Sequence, residues 1–345
     1  MSNVSEDAIN ALLARGVRNQ WYVVCPSGFV AEKPVSLRRC GYRMVFWRDT
    51  AGVAHALEDR CPHRGVPLSC GIVMGDRIAC GYHGVQVDTR GVAVCVPGAP
   101  GGKLEGSRST KAFPLRERNG MIFAFVGDER QTEPPDLVLP EELTSPEFSS
   151  FPCYAEWNGD YRYVIDNVMD PMHGTFLHKQ SHSMSFGDTK ATFAIRETPT
   201  GFVFEKEGQR NVNFDWTEYG HTGALWLRLE IPYPATGGPG GNFHIVGMFT
   251  PIGDNRTAMV FWRCRRVSGW QRDAWRFLYK NRLEARHWHV LEQDREMLSA
   301  MPDDARRREM LYQHDVGVSR VRLVLKQQAR RQLEAEDAAQ ARATG

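Results

Sequence analysis

The chain has 345 residues, of which 42% are hydrophobic and 24% are charged, and these proportions are ordinary for a globular protein long enough for two domains. The formal net charge of +2 argues against a strongly basic nucleic-acid-binding surface and against attraction to acidic membranes. We find neither a signal peptide nor a membrane-spanning apolar run, and most of the cysteines show no disulfide spacing. We therefore expect a cytoplasmic protein with neither nucleic-acid nor membrane partners.

The first predicted element is a short helix over residues 5–15. Ser5 can cap its N-terminus, acidic residues follow, and Gly16 can end it. Between about residues 21 and 125 the pattern changes to short apolar runs separated by glycine and proline, which is typical of β-strands. These features predict an all-β first domain, which we place at residues 1–130 together with the N-terminal helix.

Two cysteine–histidine pairs lie in loops between the predicted strands. Cys61 and His63 form a Cys-x-His pair, and Cys80 and His83 form a Cys-x-x-His pair after sixteen intervening residues. A tetrahedral zinc site usually takes its cysteines from one segment and its histidines from another. One thiolate and one imidazole from each loop instead suit a Rieske [2Fe–2S] cluster, held by loops at about 60–100. Structural zinc remains the alternative.

A linker and a second domain follow. Residues 131–152 are rich in proline and glutamate, which is typical of a linker. Residues 153–345 contain a helical stretch within 158–178, several strand-like runs between 191 and 265, and a long helix from about 271 to 301. The sequence thus predicts an α+β protein whose second domain combines strands with a long helix.

Two histidines five residues apart form a second candidate metal site. His173 and His178 cannot share a face of a regular helix, because residues at i and i+4 do so and residues at i and i+5 do not. Binding of one metal by both would need a bulge or a helix end, which Pro171 and Gly174 make plausible. Two histidines at this spacing are more often structural than metal-binding, so the residues alone leave both interpretations open.

The long helix offers a carboxylate for the same site. Asp294 lies on its apolar stripe, which comprises Leu283, Val290, Leu291, Leu298 and Met301. A buried ionised carboxylate without a partner is costly, so Asp294 requires a cation, either a metal ion or an arginine in a buried salt bridge. Glu292 points away from the stripe and ranks lower, and we interpret His287, near the same face, as a core residue.

These motifs resemble those of the Rieske non-haem iron oxygenases. The cysteine–histidine pairs lack the additional cysteines of respiratory Rieske proteins, and Gly65 and Gly84 lie there instead. The run Asn-x-x-Asp-x-x-His-x-x-x-x-His, from Asn167 to His178, is similar to the family's iron-binding motif, and the segment around Asp294 is similar to its carboxylate region. The resemblance covers nearly the whole chain and is strongest to vanillate O-demethylases and phthalate-type enzymes.

The resemblance implies a set of cofactors and roles. His173, His178 and Asp294 would bind a mononuclear Fe(II) as a two-histidine, one-carboxylate triad, beside the [2Fe–2S] cluster of the first domain. Asp170 would hydrogen-bond a ligand histidine and connect to the cluster of a neighbouring subunit, and Asn167 belongs to the same catalytic motif. The second domain would have the helix-grip fold, in which a long helix covers an antiparallel sheet.

The resemblance also implies a reaction and partners. The chain would be the oxygenase component of a homotrimeric system that uses O2 to hydroxylate, or to O- or N-demethylate, a small carboxylated aromatic compound. Electrons would come from NAD(P)H through a separate flavin- and iron–sulfur-containing reductase, directly or through a ferredoxin, because this chain has no Gly-x-Gly-x-x-Gly run opening a helix. The alternatives are a ring cis-dihydroxylating dioxygenase, a Rieske electron-transfer protein without oxygenase activity, and a zinc-stabilised interaction module.

The substrate pocket is the least determined feature. Arg196, Arg228 and His244 are candidates for contact with a substrate carboxylate, although each is as readily a surface or core residue. The segment 180–186 is expected to be a loop near the pocket mouth, and we do not assign its His182 as a ligand. Aromatic and apolar strand residues are candidates for the pocket wall or for the core: Phe204, Trp226, Phe243, Met248, Phe249 and Trp262.

Overall fold

The computed structural model describes residues 4–128, 133–181, 184, 187–233, 236, 238–253, 255–302 and 304–344. The chain divides into two compact units. The first unit is Arg18–Asp136, and the second combines Met1–Val17 with Leu137–Gly345. Within the described residues, no helix has both the length and the apolar character needed to cross a membrane.

The first unit is built from short antiparallel strands. Its described strands pair in the orders β1-β10-β9, β2-β3-β4 and β5-β6-β7-β8. Their bounds are β1 Gln20–Pro26, β2 Val35–Arg39, β3 Tyr42–Arg48, β4 Ala54–Glu58, β5 Ile72–Met74, β6 Arg77–Ala79, β7 Gln86–Val87, β8 Ala93–Cys95, β9 Leu115–Arg118 and β10 Met121–Val126. The predicted all-β character of this region is confirmed.

Strand β10 shows how the sequence produces this unit. All six of its residues are apolar and buried, and Ile122, Ala124 and Val126 on one face belong to a hydrophobic core. A strand buried on both faces is a continuous apolar run. Asn119 and Gly120 form the two-residue turn from β9, and both have positive φ angles of 48° and 76°. Asn-Gly is the sequence that favours such a tight hairpin turn.

The second unit is an antiparallel sheet covered by helices. Its described strands have the order β11-β17-β16-β15-β14-β13-β12. The strands are β11 Phe148–Asn158, β12 Phe193–Thr198, β13 Gly201–Lys206, β14 Trp216–His221, β15 Leu225–Ile231, β16 Phe243–Gly253 and β17 Arg256–Arg266. The helices are α1 Glu6–Arg15, α2 Glu141–Thr144, α3 Tyr161–Val168, α4 Pro171–Leu177, α5 Trp270–Leu278, α6 Glu284–Ser299, α7 Ala305–Arg308 and α8 Val316–Thr344.

The helix that covers the sheet differs in detail from the prediction. In place of one regular helix from 271 to 301, α5 and α6 are joined by a π-helical turn at Tyr279–Leu283. Tyr279 in this turn and Trp275 in α5 are fully buried, as is the sheet residue Phe243, and all three belong to one hydrophobic core. Met301, expected on the apolar stripe, lies beyond the end of α6 and is exposed. The antiparallel sheet with a helical cover otherwise confirms the predicted α+β fold.

Two boundaries differ from the expected domain limits. Strand β11 begins at Phe148, inside the predicted linker 131–152, because it pairs with β17 from Phe148 opposite Arg266 onward. Helix α1 forms as predicted, with the Ser5 hydroxyl accepting from the N–H of Ala8. It belongs to the second unit, however, and not to the predicted first domain, since its apolar face shares a core with that of α8.

Candidate functional site

The two cysteine–histidine loops have the same backbone geometry. The N–H of Cys61 and that of Cys80 each donate to the carbonyl five residues later, at 2.8 and 2.9 Å. Gly65 and Gly84 donate back to the carbonyls of those cysteines, at 2.9 and 3.0 Å. Both glycines have φ near +70° (75° and 71°), a conformation that glycine adopts without steric cost. The glycine that follows each pair is therefore a requirement of the turn.

In both loops the cysteine is buried and the histidine is exposed to solvent. Cys61 and Cys80 are buried, whereas His63 and His83 are exposed, with ring centroids 4.7 Å apart. Burial raises the pKa of the Cys61 thiol, and the neighbouring Cys80 raises it further. Two thiols that face each other in a buried position are a suitable pair of ligands for one metal ion, which would hold both as thiolates.

The spacing of these four donors bears on the choice between zinc and an iron–sulfur cluster. Around a single tetrahedral zinc ion, at about 2.0–2.3 Å from each ligand, all donor atoms would lie within ~4 Å of one another. Among the described residues, the groups of three or more donors within 4.8 Å of one another do not include this set. The spread of the donors fits a two-iron cluster, with the cysteines on one iron and the histidines on the other.

The end of α4 resolves the five-residue spacing of the second candidate site. Asp170 caps the N-terminus of α4, with its Oδ1 accepting from the N–H of Met172 at 2.8 Å, and Pro171 is the first helical residue. The helix ends at Leu177, so His178 is the first residue beyond it. The imidazoles of His173 and His178 can therefore approach each other, with ring centroids 5.3 Å apart.

Helix α6 brings Asp294 to these histidines. Oδ1 of Asp294 lies 3.6 Å from Nε2 of His173 and 3.3 Å from Nε2 of His178. Asp294 and His178 are buried, and neither Asp294 Oδ1 nor His178 Nε2 has a hydrogen-bond partner within the described parts of the chain. Nor is Asp294 paired there with an arginine, which was the alternative interpretation of this carboxylate. The three side chains thus converge on one point from two segments about 120 residues apart in the sequence.

The second nitrogen of each imidazole is held by an oxygen acceptor. Nδ1 of His173 bonds to the backbone carbonyl of Asp170, and Nδ1 of His178 bonds to Oε1 of Gln293 at 2.9 Å. An imidazole that donates from Nδ1 presents a lone pair at Nε2 when it is neutral. Burial disfavours protonation of His178, but Asp294 and Gln293 together raise its pKa above the usual value. Two lone pairs and a carboxylate that face each other require a cation, so the residues fit a metal ion.

The hydrogen bond expected between Asp170 and a ligand histidine is made by a different atom of Asp170 than its carboxylate. The predicted hydrogen bond to a ligand histidine is made by the backbone carbonyl of Asp170, while its carboxylate lies 4.0 Å from Nδ1 of His173. The side chain is occupied in capping α4. Asp170 therefore positions His173 through the main chain and leaves one carboxylate oxygen outside the cap.

A cavity with an empty volume of about 610 Å³ opens beside the triad. Its wall includes the three triad residues and Asn167, and the remainder is mainly apolar. The apolar lining residues come from α3, the sheet, α6 and two connecting segments, and include Val168, Met184, Phe214, Leu229, Ile231, Phe243, Ile245, Phe261, Val290 and Leu291. This largely apolar lining suits a small aromatic molecule.

Most of the strand residues that were candidates for the pocket wall are not part of it. Of the six aromatic and apolar candidates, Phe243 lines the cavity, and the other five are buried elsewhere in the unit. Arg196, Arg228 and His244 also lie outside the cavity wall, because each is paired with glutamate: Arg196 with Glu205, and the other two with Glu142. His182 lies outside the described residues.

Sequence reasoning gave no role to three polar residues at the site. Gln293 orients His178, and Tyr233 and Arg263 lie in the cavity wall. Arg263 had a detectable signal, because a cation within the otherwise apolar run Met259–Cys264 is unusual for a buried strand. Gln293 had none, since only the tertiary fold brings it to a histidine 115 residues away.

Known families match both parts of the chain. Residues 20–114 match the Rieske [2Fe–2S] domain, and residues 157–331, about half of the chain, match the vanillate O-demethylase oxygenase C-terminal domain. The family is one whose members use a Rieske cluster and a mononuclear iron.

Individual relatives agree with this assignment. The vanillate O-demethylase oxygenase subunit of Pseudomonas sp. (strain HR199 / DSM 7063) is 35% identical over 48% of this chain and 46% of its own length. The oxygenase component of dicamba O-demethylase from Stenotrophomonas maltophilia is 32% identical over 47% of this chain and 48% of its own length. The chain thus spans about half the length of the curated relatives that it matches.

A solved structure supports the fold over a longer range. The oxygenase in the reduced oxygenase–ferredoxin complex of carbazole 1,9a-dioxygenase has a TM-score of 0.73 at 19% identity and covers 92% of this chain and 93% of its own. The resemblance inferred from the sequence is therefore confirmed: the chain belongs to the Rieske non-haem iron oxygenases, in the family defined by the vanillate O-demethylase oxygenase C-terminal domain.

Proposed function

We propose that this chain is the oxygenase component of a multicomponent Rieske system that uses O2 to hydroxylate, or to O- or N-demethylate, a small carboxylated aromatic compound. The observation that carries the proposal is the convergence of His173, His178 and Asp294 at the wall of a largely apolar cavity. Demethylation is favoured because two relatives are named as O-demethylases, of vanillate and of dicamba.

Each group of residues has a distinct task in this proposal. Cys61, His63, Cys80 and His83 would hold the [2Fe–2S] cluster, and the triad would hold Fe(II) by one face. When bound, the two iron centres supply the electrons and the open coordination positions that O2 activation needs. The apolar wall of the cavity excludes water and orients an aromatic ring, and Gln293 and the Asp170 carbonyl keep the ligand histidines in one tautomer.

Asp170 is proposed to have a second task. A head-to-tail homotrimer would bring the cluster of a neighbouring subunit to this residue, and one carboxylate oxygen of Asp170 is not used by the α4 cap. The side chain is about one-quarter exposed (26%), as a residue that links two subunits requires before assembly. Asn167, one helical turn earlier in the motif and in the cavity wall, is proposed to act at the same site.

The proposed electron donor is a separate flavin- and iron–sulfur-containing reductase, acting directly or through a ferredoxin. The exposed cluster loop supports a docking partner, since Tyr82 is 55% exposed and lies beside His83, with ring centroids 3.9 Å apart. A ferredoxin is bound by the oxygenase of carbazole 1,9a-dioxygenase, which shares this fold.

Oxygen-uptake screening tests the proposal. The purified protein, NADH and a surrogate reductase are incubated with benzoates, phthalates and methoxybenzoates, and products are identified. We expect substrate-dependent O2 uptake that yields formaldehyde or a phenol and is lost in His173→Ala while the Rieske absorption remains. A cis-diol product would support the dihydroxylating alternative. Uptake that persists in His173→Ala would show that the triad is not the catalytic centre.

A further inference from the structure

Arg263 is a buried cation in the cavity wall. Residues that alternate along β17 face the same side of the sheet, and Phe261 and Arg263 both line the cavity. Arg263 lies opposite Ile245 of β16, which also lines it. Only 4% of Arg263 is exposed, so its guanidinium is located among apolar side chains.

The charge of Arg263 has no anionic partner among the residues that the structure describes. Within the described residues, its Nε and Nη2 have no hydrogen-bond partner, and its guanidinium lies over the ring of Phe261, 5.6 Å from the centroid. Arg265, two residues later, contrasts with it, because its Nη1 and Nη2 donate to the carbonyls of Gly238 and Gly241. A guanidinium cannot lose its proton in a protein, so a buried one without a partner destabilises the ligand-free state.

A second unpaired donor adjoins Arg263 on the same wall. Nε2 of His287 bonds to the hydroxyl of Tyr233 at 2.9 Å, while Nδ1 of His287 has no partner in the described structure. Burial is the main cause that holds the pKa of His287 well below its usual value, and the positive charge of Arg263 is the second cause. A neutral His287 that accepts from Tyr233 carries its proton on Nδ1. When His287 accepts from Tyr233, the wall thus offers a charged donor and a neutral donor, which suit an acceptor-rich ligand.

Cationic residues also line a second cavity that adjoins this wall. A neighbouring cavity shares Ser181, Tyr233, His287 and Val290 with the first. Its wall further includes Arg282 and Arg286, and no carboxylate is found among the described residues that line it. A passage lined by one sign of charge raises the local concentration of ligands of the opposite sign.

We propose that Arg263 binds an oxyanion group of the substrate, a carboxylate or a sulfonate, with His287 as a second donor. The inference rests on the proposed function, and it names the residue that would select the substrate class at that site. A guanidinium presents two parallel N–H groups that match a carboxylate in a bidentate arrangement. The substrate would supply the counter-charge that the folded chain lacks, and the aromatic ring would then extend into the apolar part of the cavity.

Calorimetric binding to the purified holoprotein tests this assignment. The ligands are methoxy-substituted benzoates, the corresponding benzenesulfonates and the corresponding neutral benzamides. We expect the wild type to prefer one of the anionic series over the amides, and the preferred series distinguishes carboxylate from sulfonate. Loss of one partner of a buried charge pair should lower affinity for that series at least ~30-fold in Arg263→Gln, whereas amide binding changes by less than ~3-fold.

Thermal unfolding provides a second readout and a matched control. Arg263→Met removes an unpaired buried charge, so the melting temperature of the ligand-free protein should not fall, and the rise that the anion produces in the wild type should disappear. Arg265→Met, which breaks two hydrogen bonds to carbonyls, should lower the melting temperature and retain the preference for anions.

Two results would overturn the assignment. The first is a wild type that binds amides as tightly as anions, and the second is an Arg263→Gln variant that weakens both classes equally. Neither binding experiment uses O2 or a reductase, so its failure is distinct from failure of the proposed oxygenase activity. If the protein oxidised only neutral aromatics, the role of Arg263 would be refuted but the oxygenase activity would stand. If it bound benzoates through Arg263 without turnover, the oxygenase activity would be refuted but the role of Arg263 would stand.

Discussion

Among single residues, Asp294 is the one on which the mononuclear site depends most directly. Its Oδ1 faces both histidines and has no hydrogen-bond partner in the described structure. We expect Asp294→Ala to retain the visible Rieske absorption, to lower the iron content from about three to about two per chain, and to reduce turnover at least ~100-fold. Iron analysis, the absorption spectrum and O2 uptake measure these three quantities.

Glu292→Ala is the matched control for that variant. Glu292 lies on the same helix two residues earlier, is exposed, and pairs with Arg295. Exposed ion pairs of this kind contribute little to stability, so iron content and turnover should both be unchanged. If Asp294→Ala kept all of its iron, or if Glu292→Ala lost it, the proposed triad would be wrong.

The same residues show which parts of the site could be predicted from the sequence. The cysteine–histidine pairs and Asp294 were found because unusual donor types stood in loops or on an apolar stripe, which is local information. The tautomer of His178 was not predictable, since it depends on Gln293, 115 residues away in the sequence, whereas His173 is held by the carbonyl of Asp170 three residues earlier. The substrate-contact candidates Arg228 and His244 lie instead against Glu142, which is distant from both in the sequence.

At the scale of elements, the start of α4 combines a structural and a proposed functional task in Asp170. Asparagine caps a helix as well as aspartate does, whereas alanine loses about 0.5–2 kcal/mol. We therefore expect Asp170→Asn to keep the unfolding free energy and both iron centres, and to slow turnover because the carboxylate is lost. Asp170→Ala should slow turnover and also lower the unfolding free energy by about 1 kcal/mol.

Denaturant titration and steady-state turnover separate the two tasks of Asp170. Normal turnover in Asp170→Asn would exclude a role for the carboxylate in linking subunits. Equal unfolding free energies for the asparagine and alanine variants would instead show that the cap contributes little, since the two substitutions differ mainly in their capping ability.

The start of strand β11 could not be predicted from the sequence. Its first five residues, Phe148–Pro152, lie in a proline-rich stretch that resembles a linker, and Pro152 argues against a central strand. In the structure β11 is an edge strand of the sheet, where proline is tolerated, and Pro152 lies opposite Trp262 of β17. The strand forms because of this partner about 110 residues later, which local composition does not reveal.

For the whole molecule, the packing of the two termini is a property that only the tertiary fold provides. Ile9, Leu12 and Leu13 of α1 share the hydrophobic core of the second unit with Val318 and Val321 of α8. Helix α1 was predicted from its cap and composition, whereas α8 was not, and their association joins segments about 300 residues apart. The division of the chain into an all-β unit and an α+β unit was, by contrast, predictable from the change in pattern along the sequence.

The predicted homotrimer has a consequence that mixing of variants can test. Cys61→Ser should remove the cluster and Asp294→Ala the mononuclear iron, so each variant alone should be inactive. If electrons pass from the cluster of one subunit to the iron of the next, co-expression of the two variants should restore activity. Random assortment in a ring places an intact cluster next to an intact iron site at about a quarter of the interfaces, so roughly a quarter of wild-type turnover is expected.

A matched mixture controls for simple stabilisation by co-expression. Asp294→Ala mixed with His178→Ala has no intact iron site in either chain and should remain inactive, although its clusters are intact. O2 uptake coupled to product formation is measured for both mixtures, and native mass measurement checks that trimers form. Activity in neither mixture, with mixed trimers present, would mean that a cluster serves the iron of its own chain, because the first mixture contains every component except a single chain with both sites intact.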